Sequence, residues 1–389
     1  MRFPSWLWTL FGAAFVVYTD DYVISGILPE LAADLGVSES QAGQLVTAYS
    51  LTVALVAPLA AVACARVPRR RLLCCGIIIF VCANAFAAAV STYTLLLALR
   101  IVIASSAAAV TPAVFAFAAE RAPGDKTGRY VAIVSLGVTG SIAGGVPIGA
   151  WIGGHYGWRA CFIAMAAGGV IVLCASFGTL PDEHQSGEVP GLCEQLRVLV
   201  SGPIACGLLS NCALMSGSMM MLTYLAPYLS STSSGGIEER ALAFSLSGIA
   251  GIVGIWLGGI FTDKWGPSRT LLFGIVGMTT SMVMLWILWA IRPVPISVVV
   301  CVVVLWGGLA FWNSPAIQAR LYMLAGSVAP QALALNTSGT YLGVSIGGAV
   351  GGIALHSFGP GSLPLASVCF CVASLVLIEI AGRLREPQM

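Results

Sequence analysis

Twelve times along this chain an apolar run of bilayer-crossing length is followed by a polar link, and the charged residues gather in the links. A helix needs about 20 largely apolar residues to cross the hydrocarbon layer. The runs fall at approximately 7–29, 41–65, 71–91, 94–119, 130–153, 158–180, 203–229, 240–262, 269–291, 294–317, 331–356 and 363–384. Only 9% of the residues are charged and 58% are hydrophobic, against about 25% charged in soluble domains. A water-facing surface cannot be built from that composition. Lipid removes the need for one, because a helix satisfies its own backbone. The sequence predicts an all-α polytopic membrane protein of twelve helices. Residues 1–180 and 203–389 form two six-helix bundles, and a polar loop over 181–202 separates them.

Basic residues set the orientation. Arg66, Arg69, Arg70, Arg71, Arg121, Lys126, Arg129, Arg197, Lys264, Arg269, Arg320 and Arg383 fall on one alternating side of the chain, with Arg2 and Arg385 at the termini. Only Arg159, Arg240 and Arg292 fall on the other. The positive-inside rule puts both termini and the central loop in the cytoplasm. The first run carries Asp20 and Asp21 and is too long for a signal-peptide core, so it reads as a retained span. There is no basic tract for nucleic acid, no phosphate-binding loop and no metal-ligand spacing; no cofactor is expected. The twelve cysteines mostly lie in apolar runs, where Cys behaves as a small hydrophobe. No nucleophile–His–acid set stands out, so an enzyme is not expected. A membrane sensor would need a larger soluble output segment than the roughly 20 residues of the central loop.

An ionisable group at membrane depth is costly and marks a functional path by default. Asp20, Asp21 and Arg100 are such groups. Helix rise places Asp21 and Arg100 at similar depth, roughly 12 and 9 Å below one boundary. Neighbouring helical residues diverge by about 100°, so Asp20 and Asp21 cannot face the same wall. The alternative reading of the trio is an ion pair anchoring span one to span four. Glu379, near a span end, reads as an i,i+4 partner of Arg383.

Two links about 200 residues apart mirror each other, as in parallel repeats. The second reads Gly259-Ile-Phe-Thr-Asp263-Lys264-Trp-Gly266-Pro-Ser-Arg269, and the first Ala61-Val-Ala-Cys-Ala65-Arg66-Val-Pro68-Arg69. The second resembles the Gly-x-x-x-Asp-Arg/Lys-x-Gly-x-x-Arg signature of the major facilitator superfamily; the first departs from it at Ala61, Ala65 and Pro68. Span one, Thr19-Asp20-Asp21 through Gly26 and Pro29, is similar to the start of the twelve-helix drug:proton antiporters. Gly144-Gly145-Val146-Pro147-Ile-Gly149 in span five is similar to their antiporter motif. The likeness is greatest to the sugar-efflux, chloramphenicol-export and purine-efflux group.

The resemblance implies an alternating-access exporter in a bacterial inner membrane, working as a monomer on protons and a small amphipathic solute. An uptake symporter on the same fold is the alternative. Asp21 aligns with the family's acidic residue and is favoured as the proton carrier. Candidate solute-cavity residues are Tyr18, Asn211, Met215, Met219, Trp306, Trp312, Asn313, Asn336 and Tyr341. For Asn211 and Asn336 the alternative is a hydrogen bond between helices. The orientation has a direct test. Alkaline phosphatase fused at Gly36 should be active and at Gly266 inactive; the reverse pattern would invert the topology.

Overall fold

The computed structural model describes residues 3–64, 67–123, 126–181 and 192–384. Arg2, Ala65, Arg66, Asp182, Glu183, Glu188, Pro190 and Arg385 lie outside that set, as does the side chain of Glu194. Among the described residues, twelve helices are long and apolar enough to cross a membrane. They are α1 (Ser5–Leu35), α2 (Glu39–Ala63), α3 (Arg69–Ala89), α4 (Tyr93–Arg121), α5 (Thr127–Tyr156) and α6 (Trp158–Thr179). The second six are α7 (Gly202–Thr223), α8 (Ile237–Trp265), α9 (Pro267–Ala290), α10 (Ile296–Ala325), α11 (Ala329–Phe358) and α12 (Ser362–Arg383). A short helix, Leu192–Arg197, precedes α7.

Local chemistry explains where these helices stop. Gly36 closes α1 in the left-handed region at φ 64°, where a Cβ is penalised. Ser38 and Gln41 then form a reciprocal cap on α2. The α8–α9 turn is a single residue, Gly266, at φ 81°. The apolar run over 203–229 is not one helix. It breaks at Tyr224 and resumes over Leu225–Thr232. Pro227 supplies the reason: it has no N–H to offer the Thr223 carbonyl one turn back.

The first six helices pack chiefly with one another, as do the last six, and the halves meet along α2 with α11 and α5 with α8. Glycines make these crossings close. Gly145, Gly149 and Gly153 of α5 lie against Thr19, Val23 and Ile27 of α1. Gly343, Gly347 and Gly351 of α11 lie against Cys212, Ser216 and Met220 of α7 with the same four-residue step. The adjoining ridge of each helix turns to the other half: Gly154 backs onto Ile237, and Gly348 onto Thr47. Small residues at this spacing let backbones touch where lipid offers no hydrophobic drive.

Within α5, Ser141–Gly145 forms a π-turn just before Pro147. Pro147 cannot donate to the Ala143 carbonyl. That carbonyl instead accepts from Ser245 Oγ of α8 at 3.0 Å, and Gly248 lies flat against the Ala143 backbone. The proline thus frees an acceptor that the opposite half uses. Ser40 Oγ of α2 also donates across the halves, to the Gly352 carbonyl of α11 at 2.7 Å. Arg240 of α8 pairs with Glu30 of α1. These ties cluster toward the end of the molecule that carries the α1–α2 link.

A Cβ on Gly248 would sit 2.6 Å from Ala143 Cα. Gly248→Val should wedge the α5–α8 seam at a cost of about 1–3 kcal/mol. Disulfide formation between Gly154→Cys and Ile237→Cys, in a chain freed of native cysteines, should then fall at least twofold. Gly144→Ala, which meets nothing within 4 Å, should leave it unchanged.

Candidate functional site

The three intramembrane charges divide into a pair and a single. Arg100 of α4 donates to Asp20 Oδ2 at 2.8 Å and to the Asp20 carbonyl at 3.2 Å. Both side chains are fully sealed, at 0% exposure. The guanidinium lies 4.3 Å from the Tyr49 ring of α2, a cation–π placement. Asn84 of α3 is buried on the same side and also faces Asp20. Among the described residues, Arg100 Nε and one terminal nitrogen of Arg100 have no hydrogen-bond partner. The sequence placed Arg100 level with Asp21; in the structure its carboxylate partner is Asp20. This pair anchors α1 to α4 inside the first half.

One residue on, the direction changes. Asp21 points toward the second half, where the Tyr341 hydroxyl of α11 donates to its Oδ2 at 3.1 Å. Tyr18 lies beside both groups, and Tyr22 follows one helical turn later with its ring 6.3 Å from that of Tyr18. Asp21 keeps 3% of its surface exposed, and Tyr18, Tyr22 and Tyr341 are half-buried. The single carboxylate therefore stands at the junction of the halves, walled by phenols and joined to the opposite half by one of them.

The other predicted residues separate. Asn211 of α7 donates to Asn336 Oδ1 at 2.8 Å and to Thr340 Oγ1 at 2.9 Å, the inter-helix bond that was the alternative reading. Met215 is half-buried near Gly343; Met219 and Trp306 are buried in the apolar core. Trp312 and Asn313 do not join this site. The Trp312 indole donates to the Thr270 carbonyl and its ring packs against Phe261 and Phe273. Asn313 Oδ1 abuts Gly274. Both face the α8–α9 side of their own half. Asp263, Lys264 and Arg269 stand exposed around the Gly266 turn, and Gly259 meets nothing within 4 Å. Glu379 and Arg383 do pair, at 3.0 Å. Sequence reasoning missed Tyr49, Asn84 and Thr340; a polar side chain in mid-span was the available signal.

A model of the family described as Major Facilitator Superfamily matches residues 10–329. The chain belongs to that superfamily. It is 34% identical to the MFS-type transporter YbcL of Bacillus subtilis (strain 168), over 95% of this chain and 93% of that one. It is 29% identical to the chloramphenicol resistance protein of Streptomyces lividans, over 96% and 95%. The D-xylose–proton symporter structure shares its fold, with a TM-score of 0.79 at 16% identity over 99% of each chain. This superfamily member is thus a multi-pass membrane transporter.

Removing one partner of a sealed ion pair strands the other. Arg100→Ala should cost about 3–5 kcal/mol, seen as a sharp fall in melting temperature and monodisperse yield in detergent. The double variant Asp20→Asn/Arg100→Gln, which strands no charge, should recover much of the loss. Equal losses in both would mean the pair does not anchor α1.

Proposed function

We propose that this transporter is a proton-coupled antiporter that exports a small amphipathic solute from the bacterial cytoplasm by alternating access, with Asp21 as the proton carrier. The observation that carries the reading is the contact of Asp21 with Tyr341 across the two halves. A carboxylate exchanges a proton productively only where a change of access state changes its surroundings. Asp20 is held by Arg100 within one half, so rocking of the halves leaves it in place. Asp21 is held partly by the other half, so rocking changes its company.

Protonation removes the charge that strengthens the phenol–carboxylate bond, which links proton binding to the separation of the halves. Linkage is reciprocal: solute binding that favours one arrangement shifts proton affinity by the same factor. Ties gathered at the α1–α2 end support closure of what the basic residues mark as the outer face. The chloramphenicol resistance relative supports the outward direction of transport. Tyr18, Asn211, Met215 and Asn336 are the solute contacts the reading favours. The Gly144–Gly149 and Gly259–Arg269 motifs are the parts that move or turn with the change of state.

Inside-out vesicles with an acidified lumen test this directly. Wild-type protein should accumulate a probe such as chloramphenicol, and Asp21→Asn should reduce accumulation at least tenfold at equal membrane abundance. Full accumulation by that variant would remove Asp21 from the mechanism. Accumulation driven only by the opposite gradient would make the protein an uptake symporter.

A further inference from the structure

The α7–α11 crossing is not uniform along its length. A Cβ on Gly347 would come within 2.3 Å of the Ser216 carbonyl, and one on Gly343 within 2.4 Å of the Cys212 carbonyl. One turn further toward the termini end, the corresponding distance from Gly339 to the Leu208 carbonyl is 3.8 Å. The helices therefore splay in that direction. The wedge opens where Asn211, Asn336 and Thr340 meet.

The bonding in this cluster is closed on one side and open on the other. Thr340 Oγ1 donates to the Asn336 carbonyl. The Asn211 amide nitrogen donates to both Thr340 Oγ1 and Asn336 Oδ1. That exhausts the donors of Asn211. The carboxamide oxygen of Asn211 and the amide nitrogen of Asn336 have no partner among the described residues, yet neither is among the sealed polar atoms. Asn211 as a residue is only 3% exposed. Asn336 is half-buried. An amide edge that is accessible and has no protein partner is free to take one from a ligand. A pair of such edges, one acceptor and one donor, is complementary to a group that both donates and accepts.

We propose that Asn211 and Asn336 form the solute-selecting subsite, and that it takes a neutral group carrying both a donor and an acceptor, such as a primary or secondary amide or an alcohol. This rests on the transport reading and names the class of solute. Helix rise puts Asn336 about 7–8 Å along α11 from Tyr341. Five residues also turn about 140° around the axis, so the amides face α7 while Tyr341 faces Asp21, and a solute reaching both spans that corner of α11 with no need of a charge to engage the amides. The class follows from uncharged partners: nothing in the amide pair favours a cation or an anion over a neutral dipole.

The test uses purified full-length protein in nanodiscs, with benzamide, N,N-dimethylbenzamide and benzyltrimethylammonium as equilibrium-binding probes. Wild type should bind benzamide about tenfold better than its dimethyl analogue, which lacks the donor; net hydrogen-bond worth sets that scale. Asn336→Leu should bring the ratio to about one. Asn313→Leu, which removes an amide on the α8–α9 side away from this cluster, should keep it. Asn336→Gln, with the amide one methylene further out, serves if the leucine variant melts early, and should give an intermediate ratio.

A wild-type preference for the ammonium probe, no benzamide binding, or an unchanged ratio in Asn336→Leu would overturn the subsite. Transport of benzamide in proteoliposomes separates this outcome from the coupling scheme. Selective binding without gradient-driven movement sinks the antiporter and leaves the subsite. Gradient-driven movement with an unaltered ratio in Asn336→Leu does the opposite.

Discussion

The sealed contact between Arg100 and Asp20 is the constraint from which the arrangement of the centre follows. Taking both charges out of water costs several kcal/mol per ion, and close geometry offsets that only in part. The Tyr49 ring face and the second bond to the Asp20 carbonyl add to the attraction. Once Asp20 is fixed on α4, the helical step fixes Asp21 as well. It must leave the first half at an angle of about 100° to its neighbour, and that direction leads to Tyr341. One ion pair thereby orients a second carboxylate that makes no ion pair of its own among the described residues.

The two glycine ridges supply the complementary constraint, which is approach. Side chains larger than hydrogen at Gly145, Gly149 and Gly153 would hold α5 away from α1, and the same holds for Gly343, Gly347 and Gly351 against α7. The repeat in spacing shows that the halves use one packing solution twice. Pro147 adds an asymmetry. It spends a helical hydrogen bond in α5, and the freed carbonyl of Ala143 is taken up by Ser245 from the other half.

Much of this was legible in the residues. Run length located twelve helices, and the presence of Asp20, Asp21 and Arg100 within apolar runs located the centre. The i,i+4 relation of Glu379 and Arg383 was also readable. What could not be read was direction around a helix. In a span that is apolar on every side there is no hydrophobic stripe to orient it. Trp312 and Asn313 therefore looked as suited to a cavity as to the α8–α9 seam that holds them. For the same reason, two adjacent aspartates could be separated by helical geometry but not assigned to partners. The break at Tyr224 had a signal in Pro227, masked by an uninterrupted apolar run.

The ridge that α11 turns toward α2 meets it through Gly348 and Gly352, and the carbonyl of Gly352 accepts from Ser40. The recognition at this junction on the α11 side is written in main chain. Main chain is the one part of a protein that drift in amino-acid identity cannot rewrite, provided the glycines stay. The wedge residues Asn211 and Asn336 lie off that junction, on the face of α11 that meets α7. If the amides choose the cargo as proposed, cargo preference and the contact between halves rest on separate sets of atoms, which would give such a chain room to change what it carries while keeping how its halves meet.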